Sequence, residues 1–252
     1  MPKVILKMQP VIEHHWQVSL KEAKAIQLQL ATKVKLKPLA VDISRICAVD
    51  VSYGRFDKTG YGVLGWFEVI RDLATKKYIC RNPQIYTAII SIDFPYIPGY
   101  LSFREIPVLL PLFEKLPSKP DLLLVDGAGI AHPRGIGLAA HLGVIFEVPA
   151  IGCAKSRLFG KYEDPANEWG AVTALTDNEK TIGYVLRSKK NSRPLFISPG
   201  HLINPQSSAE IIRSFCGKYR IPEPLRIVDL TSKILRKNPQ QFTLISKTVN
   251  NS

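Results

Sequence analysis

The sequence predicts an α/β domain in which a mixed sheet carries helices on both faces. Three strand-like segments come early, over residues 46–49, 61–70 and 85–92, and strands and helices then alternate to residue 235. That order suits a sheet covered on both sides. Two wholly apolar runs, Ile46–Val49 and Leu122–Val125, each end directly at an aspartate, as buried strands read. With 252 residues and 46% hydrophobic content, the chain can fill one sizeable core.

Residues 1–17 show no clear periodicity and read as a loose arm or an added edge strand. Ser19–Glu22 is S-x-x-E, a capping box, and Ala23, Ile26, Leu30 and Val34 follow at near-helical spacing until Pro38 closes the helix. Tyr61–Ile70 and Ile85–Ile92 flank the polar, turn-like 71–77, so an antiparallel meander is expected with the strand at 46–49. Leu101–Leu116 is helical in pattern; Pro107 is tolerable in a first turn, whereas Pro111 is expected to kink or break the helix. Asp121–Val125 is a strand, Leu138–Phe146 a helix and Ala150–Cys153 a strand. Strands are expected at 171–175, 181–187 and 195–198, and helices at 207–217 and 224–235. The expected organisation is an arm (1–17), one domain including the N-terminal helix (18–237) and a flexible tail (238–252).

A net charge of +13 suits a polyanionic partner, because lysine and arginine displace counterions from phosphates. Cys47, Cys80, Cys153 and Cys216 are scattered without a C-x-x-C pair, which argues against a structural zinc and a disulfide framework. No secretory leader and no membrane-length apolar run is visible, so a cytoplasmic protein is expected.

Asp50 and Asp126 stand at the ends of apolar strands, which a mixed sheet can place side by side. Two bare carboxylates so placed raise each other's pKa, and a divalent cation removes the conflict. Magnesium takes a few carboxylates, waters and phosphate oxygens, and so activates phosphodiester hydrolysis. The alternative is that each aspartate only caps a turn. Phe94–Glu105, FPYIPGYLSFRE, sets Tyr96 in a proline-braced loop suited to stacking on bases, with Glu105 on the helical turn behind it. Gly127, Gly129, Gly135 and Gly137 free the backbone beside Asp126, either for a flat ligand or for a tight strand-to-helix connection. His132 and Arg134 are candidates for phosphate contact, and His141 is a packing or surface residue of the next helix.

Seven segments then resemble the endonuclease V family: AVDVSY (48–53), PYIPGYLSFRE (95–105), LLLVDGAGIAHPR (122–134), GLAAHLGV (137–144), AKSRL (154–158), SPGH (198–201) and YRIPEPLRIVD (219–229). They follow the family's order and cover most of residues 20–235. The resemblance implies an RNase H-like fold and a magnesium-dependent nuclease, with manganese as a substitute. It implies a nick at the second phosphodiester bond 3′ to inosine, leaving 3′-hydroxyl and 5′-phosphate ends. By position, Asp50, Glu105, Asp126 and Asp229 match the metal ligands, and Lys155 a lysine near the scissile phosphate. Tyr96 matches the wedge that fills the gap left by the displaced base, and Leu101, Gly127, Gly129 and Leu158 match its pocket. His132 and His201 complete the expected substrate contacts. Ala128 stands where many members have a larger polar residue, and Leu202 where several have arginine. The expected partner is inosine-containing DNA, with single-stranded RNA an open alternative, bound by a monomer. A non-cutting binder of deaminated bases and a junction resolvase are the rival readings.

Overall fold

The computed structural model describes residues 8–39, 41–54 and 57–240; residues 1–7 of the expected arm and 241–252 of the expected tail lie outside them. The chain runs α1 (Leu20–Ala31), β1 (Arg45–Ser52), β2 (Thr59–Arg71), β3 (Tyr78–Ser91), α2 (Leu101–Phe113), β4 (Leu122–Val125), α3 (Leu138–Phe146), β5 (Ala150–Ala154), β6 (Val172–Asp177), β7 (Lys180–Leu186), β8 (Leu195–His201), α4 (Pro205–Phe215) and α5 (Glu223–Lys237). All the strands join one sheet in the order β3-β2-β1-β4-β5-β8-β7-β6. The expected meander is β1-β2-β3, and β1, β4 and β5 run parallel.

Alternation along the central strands divides the core. Ile46, Ala48, Leu122 and Leu124 face α4 and α5, and Cys47, Val49, Leu123 and Val125 face α2 and α3. The expected mixed sheet with helices on both faces is thus present, and the domain is of the RNase H-like α/β type.

Four expectations needed correction. Pro111 does not break α2, which runs unbroken through Pro107 and Pro111. The two prolines lie one turn apart on its half-buried face, while Ile106, Leu109, Leu112 and Phe113 are fully buried. Burying four large side chains at about 1.5–3 kcal/mol each outweighs about 3 kcal/mol per interior proline. The third strand begins at Tyr78 and passes through Pro83. It is an edge strand, where a missing N–H is tolerated, and the pairing shifts register between Trp66 and Glu68 opposite it. Residues 8–18 contain no strand: Val11 N–H donates to Ile145 O at 2.7 Å, Met8 is buried, and Trp16 stacks on His141. α1 ends at Ala31, short of the expected stop at Pro38. The Ser19 capping box opens α1, and all four cysteines are free.

Register places the functional end of the sheet. Val49 pairs with Val125 and Val125 with Gly152. Asp50, Asp126 and Lys155 therefore emerge at the same end of three adjacent parallel strands.

Candidate active site

Asp50 and Asp126 leave neighbouring strands, and α5, packed on β1 and β2, adds Asp229 from its second turn. One carboxylate oxygen from each of the three lies within 4.8 Å of the others. Lys155 donates hydrogen bonds to Asp126 and Asp229. Ser232, on α5, donates to Asp50, and Lys233 Nζ lies 2.6 Å from Asp229 Oδ2. Glu105, the fourth expected acid, is buried on α2 beside this triad and accepts the Tyr53 hydroxyl at 2.9 Å.

Electrostatics divides the acids. Burial, then the charge of Asp126, pushes the Asp50 carboxyl up to about 7, against the opposing pull of Ser232 and Lys155. Burial also lifts Glu105 to about 8; the Tyr53 hydrogen bond pulls it back, and Asp50 and Asp126 push it further up. Asp229 differs: burial raises it, but hydrogen bonds from Lys155 and Lys233 hold it below the ordinary range. The Lys155 ammonium, which burial alone disfavours, is held above its usual value by Asp126 and Asp229. Burial and mutual repulsion thus both disfavour full ionisation of these acids, a conflict that a cation relieves.

Beside the acids lies a small cavity lined by Leu101, Ser102, Gly127, Ala128, His132 and Leu158, among others. Its volume is about 40 Å³, room for a water or two and less than a purine ring. Leu158 is 41% exposed and forms part of its wall. Tyr96 is 54% exposed on its loop, its ring 6.2 Å from that of Tyr53. The loop is fixed at Gly99, whose φ of +81° suits glycine. Its carbonyl accepts from Gln27 Nε2 (3.0 Å) and Arg134 Nη2 (2.5 Å), and His132 Nε2 lies 2.9 Å away.

Four expected contacts are engaged within the protein, and of these Gly129 and His201 lie outside the cavity lining. His132 lines the cavity, but its Nε2 is engaged with Gly99 O and its Nδ1 accepts from Arg134 N at 3.1 Å, so it braces loops instead of offering a hydrogen bond to phosphate. Arg134 is committed likewise, to Gln27 Oε1 (2.6 Å), to Gly99 O and to the face of Tyr100. Gly129 is not part of the cavity wall. Its N–H donates to Ser198 Oγ at 2.7 Å, and a Cβ there would lie 2.1 Å from Pro199 O, so the glycine serves close packing on β8. His201 pairs with Ala150, the end of β5 opposite Lys155, and is fully buried. Its ring sits between Lys35 N (3.3 Å) and Glu147 Oε2 (3.2 Å), which makes it a structural residue. Leu202, next to it, is at the same remote end.

Sequence reasoning gave no role to Gln27, Tyr53, Ser232 or Lys233. Tyr53 and Asp229 both lay in quoted motifs, and one helical turn beyond Asp229 would have found Ser232 and Lys233. Gln27 gave no signal beyond being a polar residue in a helix. Arg104, inside the quoted FRE, is a brace: it donates to Phe94 O (2.7 Å) and Asp57 O (2.8 Å), over the Tyr53 ring.

Fold and acid triad together define an RNase H-like α/β domain with a carboxylate centre at the parallel-strand ends. The family model for endonuclease V matches residues 28–230. Endonuclease V of Geotalea uraniireducens is 44% identical over 230 residues, covering 90% of this chain and 94% of the relative. The solved endonuclease V of Bacillus subtilis superposes with a TM-score of 0.79 at 29% identity, covering 93% of this chain and 99% of the other. That of Ciona intestinalis, crystallised with a 24mer DNA containing an inosine, shares the fold with a TM-score of 0.69 at 24% identity, covering 88% and 99%. The chain belongs to the endonuclease V family, and it is a nuclease. No helix among the described residues is long and apolar enough to cross a membrane.

Proposed function

We propose that this nuclease nicks DNA at the second phosphodiester bond 3′ to inosine, leaving 3′-hydroxyl and 5′-phosphate ends, with magnesium as its cofactor and manganese as a substitute. The observation that carries the reading is the triad of Asp50, Asp126 and Asp229 beside a cavity lined by Leu101, Gly127 and Leu158. The donor set fits a hard divalent cation. Its ligands are carboxylate oxygens within 4.8 Å of each other, and a lysine ammonium already lies between two of them. Asp50, Asp126 and Asp229 would hold the ion, with Glu105 as the fourth acid. When bound, the ion polarises the phosphate and activates water for in-line attack.

The chain's own residues do the rest. Lys155 stabilises the charge that grows on the phosphate during reaction. The hypoxanthine, turned out of the strand, enters between Leu101 and Leu158 once Leu158 swings aside, with its edge close to the Gly127 backbone. Close walls disfavour the 2-amino group of guanine. Tyr96 stacks into the gap in the strand.

The test is nicking of paired DNA and RNA strands with inosine or adenine at one position, with and without magnesium. Inosine-dependent, magnesium-dependent nicking supports the proposal, and the DNA and RNA arms set the preferred substrate. Equal cleavage of adenine strands, or unchanged cleavage by Asp50→Ala or Asp126→Ala, would overturn it.

A further inference from the structure

A second concavity, of about 680 Å³, opens on the other side of the Lys155–Leu158 loop from the base cavity. Lys155, Ser156 and Arg157 line it, whereas Leu158 lines the base cavity. One loop of four residues therefore separates the two, with Asp126 and Asp229 of the acid triad bound to Lys155 at its head.

The wall is basic and aromatic. Arg157, Arg187 and Arg193 line it with Tyr162, against the single acid Asp164. The half-buried Tyr162 ring stands edge-on to buried Phe196, centroids 5.2 Å apart, with the Arg157 guanidinium 5.7 Å from its centre. Arg157 and Arg193 are exposed. A positive track with an aromatic ring is what a single strand needs, phosphates on the cations and a base on the ring.

The groove is also built in advance. The Arg187 guanidinium bonds Ser192 O and Pro165 O (3.0 Å), one from each wall. Asn191 N–H donates to Asn167 Oδ1 at 2.8 Å, and Asn167 Nδ2 to Asn191 Oδ1 at 2.6 Å, tying the rims. Arg220 fixes the floor to the active site: it donates to Lys155 O (2.8 Å), Pro194 O (2.9 Å) and Arg193 O (2.7 Å). The distance from Lys155 to the groove is thus set by the fold, and a strand loses little further freedom in filling it.

We propose that this groove is a nucleotide subsite for the strand beyond the scissile phosphate, with Tyr162 stacking a base and Arg157 and Arg193 holding phosphates. The proposal rests on the reading above: a strand with its base in the Leu101–Leu158 cavity and its phosphate at the triad continues past Lys155 into the groove, which is the 3′ direction.

The experiment uses inosine strands that end one, two, four or six nucleotides 3′ of the scissile bond, and a matched series shortened on the 5′ side. For the native protein, kcat/KM should rise on the order of tenfold as the 3′ side lengthens, mostly through KM. In Tyr162→Ala and in Arg157→Ala/Arg193→Ala the ratio of long to short should fall toward one, and Tyr162→Phe should restore it. A fluorescent adenine analogue, 2-aminopurine, placed in the 3′ segment reads occupancy without cleavage: its quenching on binding in EDTA should vanish in Tyr162→Ala. Native length dependence in the variants, or no 3′ length dependence in the native protein, would overturn the subsite. Absent inosine nicking with intact quenching would instead count against the reading on which it rests.

Discussion

Metal binding to this site should be steeply pH-dependent, and the steepness tells which acids take part. In the metal-free protein Asp50 titrates at about 7 and Glu105 at about 8. A cation binds the carboxylates, so each proton still present must leave first. Raising the pH from 6 to 8 removes the competition at Asp50, worth about tenfold in affinity, because the protonated excess falls from about ten to about one tenth. For Glu105 the corresponding factor is about fiftyfold. If both acids are ligands, apparent affinity for magnesium should rise by several hundredfold between those values; if only Asp50 is, by about tenfold. The stability of the metal-free protein runs the opposite way. Both carboxyls sit above their unfolded values, so their contribution is present below about pH 4 and is lost as pH rises through 7 and 8. The metal-free protein should therefore melt lower at pH 8 than at pH 5 on account of these groups, and magnesium should restore more at pH 8. Calorimetric titration with manganese or magnesium at pH 6, 7 and 8, in buffers of different ionisation enthalpy, measures both the affinity and the protons released. A flat affinity with no proton release would refute the assignment of these acids to the cation.

Lys155→Ala should slow single-turnover nicking by about 10²–10³-fold while changing strand affinity less than about tenfold, since its target is charge that grows in the reaction; equal losses would place it in binding instead. Tyr96→Ala should weaken binding to inosine strands by about five- to 150-fold and to adenine strands little, which fluorescence anisotropy on paired strands reads directly. Gly129→Val should lower the melting temperature together with activity, because its side chain meets the Pro199 carbonyl; an overpacking cost of about 1–3 kcal/mol or more is expected, and a variant of native stability would restore Gly129 to the base pocket. Gln27→Leu removes a donor to Gly99 and strands the Arg134 Nε, and should cost about 1–3 kcal/mol in urea denaturation.

The parts legible in the sequence were those fixed by local pattern. Apolar runs ending at Asp50 and Asp126 predicted both the strands and the proximity of the two acids, because period and register act over a few residues. The Ser19 box and the α3 span were equally local. What escaped depends on contacts distant in sequence. Pro111 sits inside a helix because α3 and the sheet bury the opposite face. His201 reads as a polar residue beside a glycine until β8 is paired with β5, which sends it to the end of the sheet away from Lys155. Gly129 has the spacing of a ligand loop, yet what demands a glycine is the backbone of β8. His132 lies at the cavity as expected, but the carbonyl it faces, that of Gly99, is 33 residues away in sequence.

The corrections share a direction, and it bears on how the site works. On the base side His132, Arg134 and Gln27 converge on the Gly99 carbonyl and Ser198 takes the Gly129 amide, while the buried Ser102 hydroxyl of the cavity wall has no partner among the described residues. That side is built by hydrogen bonds within the protein, so the Tyr96 loop and the Gly127 wall keep their positions without substrate. Of the cavity's lining, Gln27, Gly99 and His132 are tied to one another, whereas Leu158 is exposed. The acid side is the reverse. Asp50 and Glu105 are held by burial in an environment that favours their protonated forms, against the pull of Lys155 and Ser232 on the first and of Tyr53 and Arg104 on the second. On the proposed reading a bound cation would offset the charge of these acids and so admit a phosphate. Base recognition, on the same reading, draws on a wall braced within the protein, and cleavage on an acidic centre completed by a cation. A strand is then sampled at the first before it is cut at the second, which would place selectivity ahead of chemistry.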